Sequence, residues 1–232
     1  MINRLLVLLS FFSFSLSNCE AQDANVLLKA VQKKLDKVSS YEANGMLKTN
    51  VSFLKIPVSK IKLLYKKPGK VKLRTSSGVS FLPKGAINVN LNSIFSEGNF
   101  VVIDGGNSTI QSTPVRVIKL LPSDESSDIV LTTLYINPEN QLILKTMTTT
   151  KENGSYELEM KYKNYVVWGL PDQIIFAFNT KDYKLPKGLT FDFDDGTAKS
   201  KTINKGKGQK AEVLISIANY KMNIPLSDDQ FK

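Results

Sequence analysis

Apolar positions recur at two spacings along this chain. Between Asn25 and Val38 they fall at Val26, Leu27, Ala30, Val31, Leu35 and Val38, which is the stripe of an amphipathic helix. Lys29, Lys33, Lys34 and Asp36 lie off that stripe. Asp23 or Asn25 can cap its start. Ser39-Ser40 breaks the pattern, and from Tyr41 the period is two. Tyr41 to Leu54 predicts a strand interrupted at Asn44-Gly45. Lys60 to Lys66 and Lys70 to Thr75 alternate apolar with basic residues on either side of a Pro68-Gly69 turn, so they predict a hairpin with one basic face. Further strands are expected at Phe100–Ile103, Val115–Leu121, Ile129–Ile136, Gln141–Thr149, Tyr156–Tyr162, Gln173–Phe178, Leu189–Phe193 and Ala211–Met222. Asn137-Pro138-Glu139-Asn140 and Glu152-Asn153-Gly154-Ser155 are tight turns between neighbours, so the sheet is antiparallel.

Two strands are apolar on both sides. Ile129, Leu131 and Tyr135 stand opposite Val130, Leu134 and Ile136. Val213, Ile215 and Ile217 stand opposite Leu214 and Ala218. Both faces of such a sheet need cover from a helix, a second layer or a ligand. Thr75 to Gly98 is a long connection with an apolar patch at Leu91, Ile94 and Phe95. Connections of this kind often serve as lids or binding loops. Lys199 to Lys210 is a Lys/Gly-rich hairpin loop.

The first residues follow a different grammar. Arg4 precedes an apolar run from Leu5 to Leu16, and small and polar residues follow it. Met1 to Ala21 therefore reads as a removable signal segment, and residues 22–232 as a single β domain. No later apolar run is long enough for a membrane-spanning helix. Cutting after Ala21 would release a soluble chain. Cys19, the only cysteine, sits directly after the apolar run, so cleavage before it and lipidation of its thiol is the competing outcome.

Composition narrows the chemistry. The chain has no histidine, which removes histidine-based triads, histidine general bases and most zinc sites. Ser52-Phe53-Leu54-Lys55 and Ser59-Lys60-Ile61-Lys62 have the S-x-x-K spacing of serine acyl enzymes. That motif needs a helix, and both copies sit in strand-like sequence. Asp192-Phe193-Asp194-Asp195-Gly196 lacks the spacing of a calcium loop, and Gly206-Lys207-Gly208 lacks that of a phosphate loop. The residues imply no catalytic group, metal or cofactor. Net charge is +10, carried almost wholly by lysine. After the signal segment only Arg74 and Arg116 remain, which argues against nucleic acid as a partner and leaves anionic membrane surfaces. Phe176, Phe178, Phe191 and Phe193 alternate along late strands, and Tyr156, Leu158, Met160 and Tyr162 line one face of another. These positions are either sheet core or the wall of an apolar cavity.

Three segments resemble the lipoprotein carrier and receptor superfamily, LolA/LolB-like, with sensor relatives such as RseB. The first is the hairpin Lys66-Lys67-Pro68-Gly69-Lys70-Val71-Lys72-Leu73. The second runs from Leu134-Tyr135-Ile136-Asn137-Pro138 through Leu142 to Asn153-Gly154-Ser155-Tyr156-Glu157-Leu158. The third is the ending, Ile217 to Phe231. The resemblance implies a mainly β fold: a single curved antiparallel sheet, or incomplete β-barrel, with an N-terminal helix and a lid segment covering an apolar cavity. It implies a non-catalytic periplasmic carrier for the acyl chains of lipoproteins or lipids, acting as a monomer. The alternative is an envelope sensor or adaptor of the same fold that binds protein. Arg74 lies near the strand arginine that holds the lid in such carriers. The expected cavity residues are Ile61, Leu63, Leu131, Phe176 and Phe178, and the expected basic face is Lys60, Lys62, Lys66, Lys70, Lys72 and Arg74.

Overall fold

The computed structural model describes residues 20–50, 57–76, 100–152, 154–179 and 210–231. Residues 1–19 of the expected signal segment, with Cys19, the expected lid from residue 77 onward, the Leu189–Phe193 strand, the Asp192–Gly196 turn and residues 199–209 lie outside them, whereas Glu20 and Ala21 are described. The first S-x-x-K copy also lies outside them.

Helix α1 spans Glu20–Leu35. Ala24, Leu27, Val31 and Leu35 are buried along one stripe; of the stripe the sequence predicts, Leu27, Val31, Leu35 and Val38 are buried, Ala30 is half-buried, and Val26 faces solvent. The helix begins earlier than expected and ends earlier. Its last turn tightens, with Lys37 N–H donating to Lys34 O at 3.3 Å and Val38 N–H to Leu35 O at 3.1 Å. Val38 remains buried past the helix end, so the apolar period outlasts the helix.

Ten strands follow. They are β1 Ser40–Asn50, β2 Ser59–Lys66, β3 Lys70–Thr75, β4 Phe100–Ile110, β5 Thr113–Pro122, β6 Ile129–Asn137, β7 Leu142–Thr150, β8 Gly154–Lys161, β9 Gln173–Asn179 and β10 Lys210–Met222. Short 3-10 turns lie at Val166–Trp168 (η1) and Asp228–Phe231 (η2). The strands form one sheet in the order β3-β2-β1-β10-β9-β8-β7-β6-β5-β4, and every pairing is antiparallel. Among the described residues the sheet does not close into a barrel, and its edges are β3 and β4.

The register slips at four places, two of them between β6 and β7, at Ile129/Leu131 and Tyr135/Ile136; the other two shape β1 and β4. The register of β1 against β10 slips between Asn44 and Gly45. A Cβ on Gly45 would strike the Ser216 carbonyl oxygen, so only glycine fits the bulge. The second concerns β4, which runs to Ile110 rather than stopping at Ile103. Its bulge lies between Asp104 and Asn107. There the Asp104 carboxylate accepts from Gly106 N–H at 2.8 Å, and Gly106 has φ 78°. β4 then turns into β5 through Gln111 (φ 46°) and Ser112 (φ 69°), a two-residue hairpin without the usual glycine.

Side-chain alternation gives the sheet an inner and an outer face. One inner row crosses eight strands from β4 to β1: Asp104, Ile118, Leu134, Thr146, Leu158, Phe176, Val213 and Thr49. The helix stripe and the inner-face residues make one core cluster. The outer face is mixed. Leu64, Val117 and Ala177 are buried there, while Met46, Val101, Ile103 and Met147 are exposed. The expectation that both faces are fully covered is thus corrected. Apolar side chains on an antiparallel sheet can face water singly without penalty to the fold.

Candidate ligand-binding face

The two ends of the inner face differ in chemistry. At the end nearest the Lys66–Lys70 turn the face is filled by tyrosines. The Tyr41 ring lies 5.2 Å from both Tyr65 and Tyr220, and Tyr165 lies 4.9 Å from Tyr220. The Tyr220 hydroxyl donates to Pro171 O at 2.8 Å, and the Tyr162 hydroxyl to Ile143 O at 2.8 Å. Burial pushes the ionisation of Tyr41, Tyr162 and Tyr220 upward, so all three stay neutral donors. This end is packed and partnered by the protein itself.

The opposite end is built from phenylalanine and threonine. Phe176 lies 5.2 Å from Phe178 and 5.5 Å from Tyr156. Thr132 and Thr148 exchange a hydroxyl contact at 3.3 Å. Thr49 and Thr146 are buried, and their hydroxyls have no partner among the described residues. Buried polar groups nearly always find one, and leaving one unmade costs about 1–3 kcal/mol. The chain leaves the described sheet from this same end, after Asn50, Ser76 and Asn179.

Four of the five expected cavity residues sit on the inner face: Ile61, Leu63, Phe176 and Phe178 are all members of the core cluster. Leu131 is not. It is half-buried and shares its strand face with Thr133, which pairs with the exposed Met147. The inner positions of β6 are Thr132, Leu134 and Ile136.

The six basic residues do share one face, the outer side of β2 and β3. Lys62 stands opposite Arg74, Leu64 opposite Lys72, and Lys66 opposite Lys70, with Lys60 opposite Met46 on β1. The face is not left to solvent. Lys66 Nζ and Lys70 Nζ hold the two carboxylate oxygens of Asp228 at 2.9 and 2.8 Å. Lys66 also donates to Leu226 O at 2.9 Å, and Arg74 to Gln230 O at 3.0 Å. Lys62 pairs with Glu42 at 3.3 Å. Hydrogen bonds from Lys66 and Lys70 pull the Asp228 carboxyl down to about 2. Arg74 therefore reaches the C-terminal segment from the outer face, not the inner side of the sheet.

Two charged sites were not anticipated from the sequence. Arg116, read only as one of two arginines, is buried and makes an ion pair with Asp104, with Nη1 donating to Asn107 Oδ1 at 2.9 Å. Burial is the largest single influence and works against the Asp104 charge, but the Arg116 hydrogen bond, the Gly106 N–H and the Arg116 charge together outweigh it and hold the carboxyl below its usual value. Lys34 leaves the solvated side of α1 to donate to Asn140 O, and to Val166 O at 3.4 Å. Desolvation, then the neighbouring Lys37 charge, lowers its pKa. In both cases the partner comes from another element, so helical or strand spacing carries no sign of it. The second S-x-x-K copy, Ser59 and Lys62, lies in β2, where the two side chains point to opposite faces.

No family model matches this chain, and no curated protein matches its sequence. Solved structures do match its shape. A DUF1329 family protein from Desulfovibrio piger superposes with a TM-score of 0.55 at 11% identity, over 92% of this chain and 97% of that one. A LolA superfamily protein from Nitrosomonas europaea gives 0.55 at 15% identity, over 88% and 96%. An outer membrane lipoprotein-sorting protein domain from Vibrio parahaemolyticus gives 0.51 at 9% identity, over 90% and 96%. At these identities the likeness establishes the fold alone, one that this chain shares with a LolA superfamily protein.

Proposed function

We propose that this chain is an exported, non-catalytic binding or carrier protein for the acyl chains of lipoproteins or lipids in the cell envelope. The observation that carries the reading is the Phe/Thr end of the inner face, where a continuous apolar floor holds the unpartnered hydroxyls of Thr49 and Thr146. An acyl chain laid on Phe176, Phe178 and Tyr156 gains about 0.8 kcal/mol for each methylene taken out of water. An ester or amide carbonyl beside the chain would give the hydroxyls an acceptor. The absence of histidine supports a binding role over hydrolysis. On this reading residues 1–21 are removed, and 22–232 work as one domain in the periplasm or beside the membrane that anchors Cys19.

Native mass spectrometry of the protein recovered from an envelope fraction tests the cargo and the processing together. The expected spectrum holds a chain starting at Gln22 with co-purifying lipid. A diacylglyceryl adduct on Cys19 would make the protein an anchored receptor instead. A fluorescent fatty acid should bind the lipid-stripped protein and be released by Phe178→Glu, or by Tyr156→Lys if the first variant fails to fold. No bound lipid and no fatty-acid binding would end the acyl reading. A stable protein partner in its place would establish the sensor or adaptor role.

A further inference from the structure

The basic outer face and the segment after β10 are widely separated in sequence, and an ion pair joins them: Asp228 and Lys66 are 162 residues apart. Two lysine ammonium groups clasp the two oxygens of its one carboxylate. The clasp is open to water: the Asp228 side chain is 60% exposed, and those of Lys66 and Lys70 are 37% and 45% exposed. Exposed ion pairs of this kind hold weakly and exchange readily with other charges. The segment is also held by hydrogen bonds from Lys66 and Arg74 to the main-chain oxygens of Leu226 and Gln230, from Ser40 Oγ to Ile224 O at 2.5 Å and from Asn223 N–H to Ser40 O at 2.7 Å, and by the buried side chain of Leu226.

We propose that the outer face of β1, β2 and β3 docks on an anionic lipid surface, and that Asp228 occupies it as an internal competitor which such a surface displaces. Charge complementarity argues for this occupant. Lys60, Lys62, Lys66, Lys70, Lys72 and Arg74 share the face, with Glu42 and Asp228 as the acids paired into it. Clusters of this size are the ones attracted to anionic leaflets. Five of the six are lysines, compact hydrated charges suited to a diffuse field of headgroups rather than to planar, bidentate reading of bases. Strand alternation sets this face opposite the apolar inner one, so docking does not rest on the acyl reading and leaves the inner face unobstructed.

Cosedimentation of the full chain with phosphatidylglycerol/phosphatidylcholine vesicles, and with phosphatidylcholine alone, tests it. Asp228→Asn should bind the anionic vesicles about fivefold more tightly than wild type, the worth of one elementary charge near such a surface. Binding should fall as salt rises and should be absent on phosphatidylcholine. Lys66→Gln/Lys70→Gln should abolish the gain in the Asp228→Asn background, with tryptophan fluorescence confirming that each variant is folded. Equal binding by wild type and Asp228→Asn would overturn the competitor role. Absence of binding by Asp228→Asn, or binding indifferent to lipid charge, would overturn the docking surface itself.

Discussion

A buried hydroxyl without a partner is a local liability, and among the described residues Thr146 carries one on the inner face. Its neighbours on either side in the row are Leu134 and Leu158, neither of which can accept a hydrogen bond through its side chain. Thr146→Val keeps the branched shape that a strand favours and deletes the hydroxyl. The expected outcome is a ligand-free protein more stable by about 1 kcal/mol, read as a higher urea midpoint at unchanged slope. Thr132→Val should move the midpoint the other way, because it strips Thr148 of its only named hydroxyl partner, 3.3 Å away. A lower midpoint for Thr146→Val would mean that its hydroxyl has a partner in solution. The sequence marks this position only as one of several threonines between Thr146 and Thr150. What makes it unusual is its burial among side chains from β6 and β8, which strand alternation within β7 does not contain.

Among elements, η2 is the one whose attachment depends on charge. Asp228 titrates at about 2 when bound and near 3.8 when free. A depressed folded-state value means that its contribution is complete above the free value and is lost as pH falls from about 4 toward 2. The segment after β10 should therefore loosen from β3 across that window while the sheet persists. The Asp228 carboxyl and Lys66 ammonium signals, followed by NMR between about pH 5 and pH 2, should move together with a midpoint near 2. A midpoint near 4 would show that the bridge does not form in solution. Strands were legible wherever alternation and turn chemistry agreed: Pro68-Gly69 lies between β2 and β3, and Pro138-Glu139-Asn140 between β6 and β7, as expected. The second half of β4 was not, because Gly105-Gly106-Asn107 reads as a break and the Gln111-Ser112 turn uses residues that rarely take positive φ. Leu131 was misplaced for a related reason. β6 is apolar on both sides, so period two finds the strand but cannot say which side meets the core. The basic face followed from alternation alone, whereas its closure by Asp228 is a tertiary event.

At the scale of the whole molecule, the first and last strands pair with each other, and β10 lies inside the sheet between β1 and β9. A chain ended at Gln209 would keep β1–β3 and β4–β9 but lose the strand that joins them. It should give no cooperative urea transition by circular dichroism, whereas a chain ended at Asn223, lacking only η2 and its lead-in, should retain one. A cooperative transition in the shorter chain would show that the two groups of strands fold independently. The same topology acts as a clock during synthesis. β10, which completes the described sheet, leaves the ribosome after the nine strands it joins, so those strands have no finished sheet to lock into until it emerges. A polypeptide bound for export has to be threaded through a narrow channel while still pliable. For the exported protein proposed above, the order of strands would by itself postpone folding until the far side is reached.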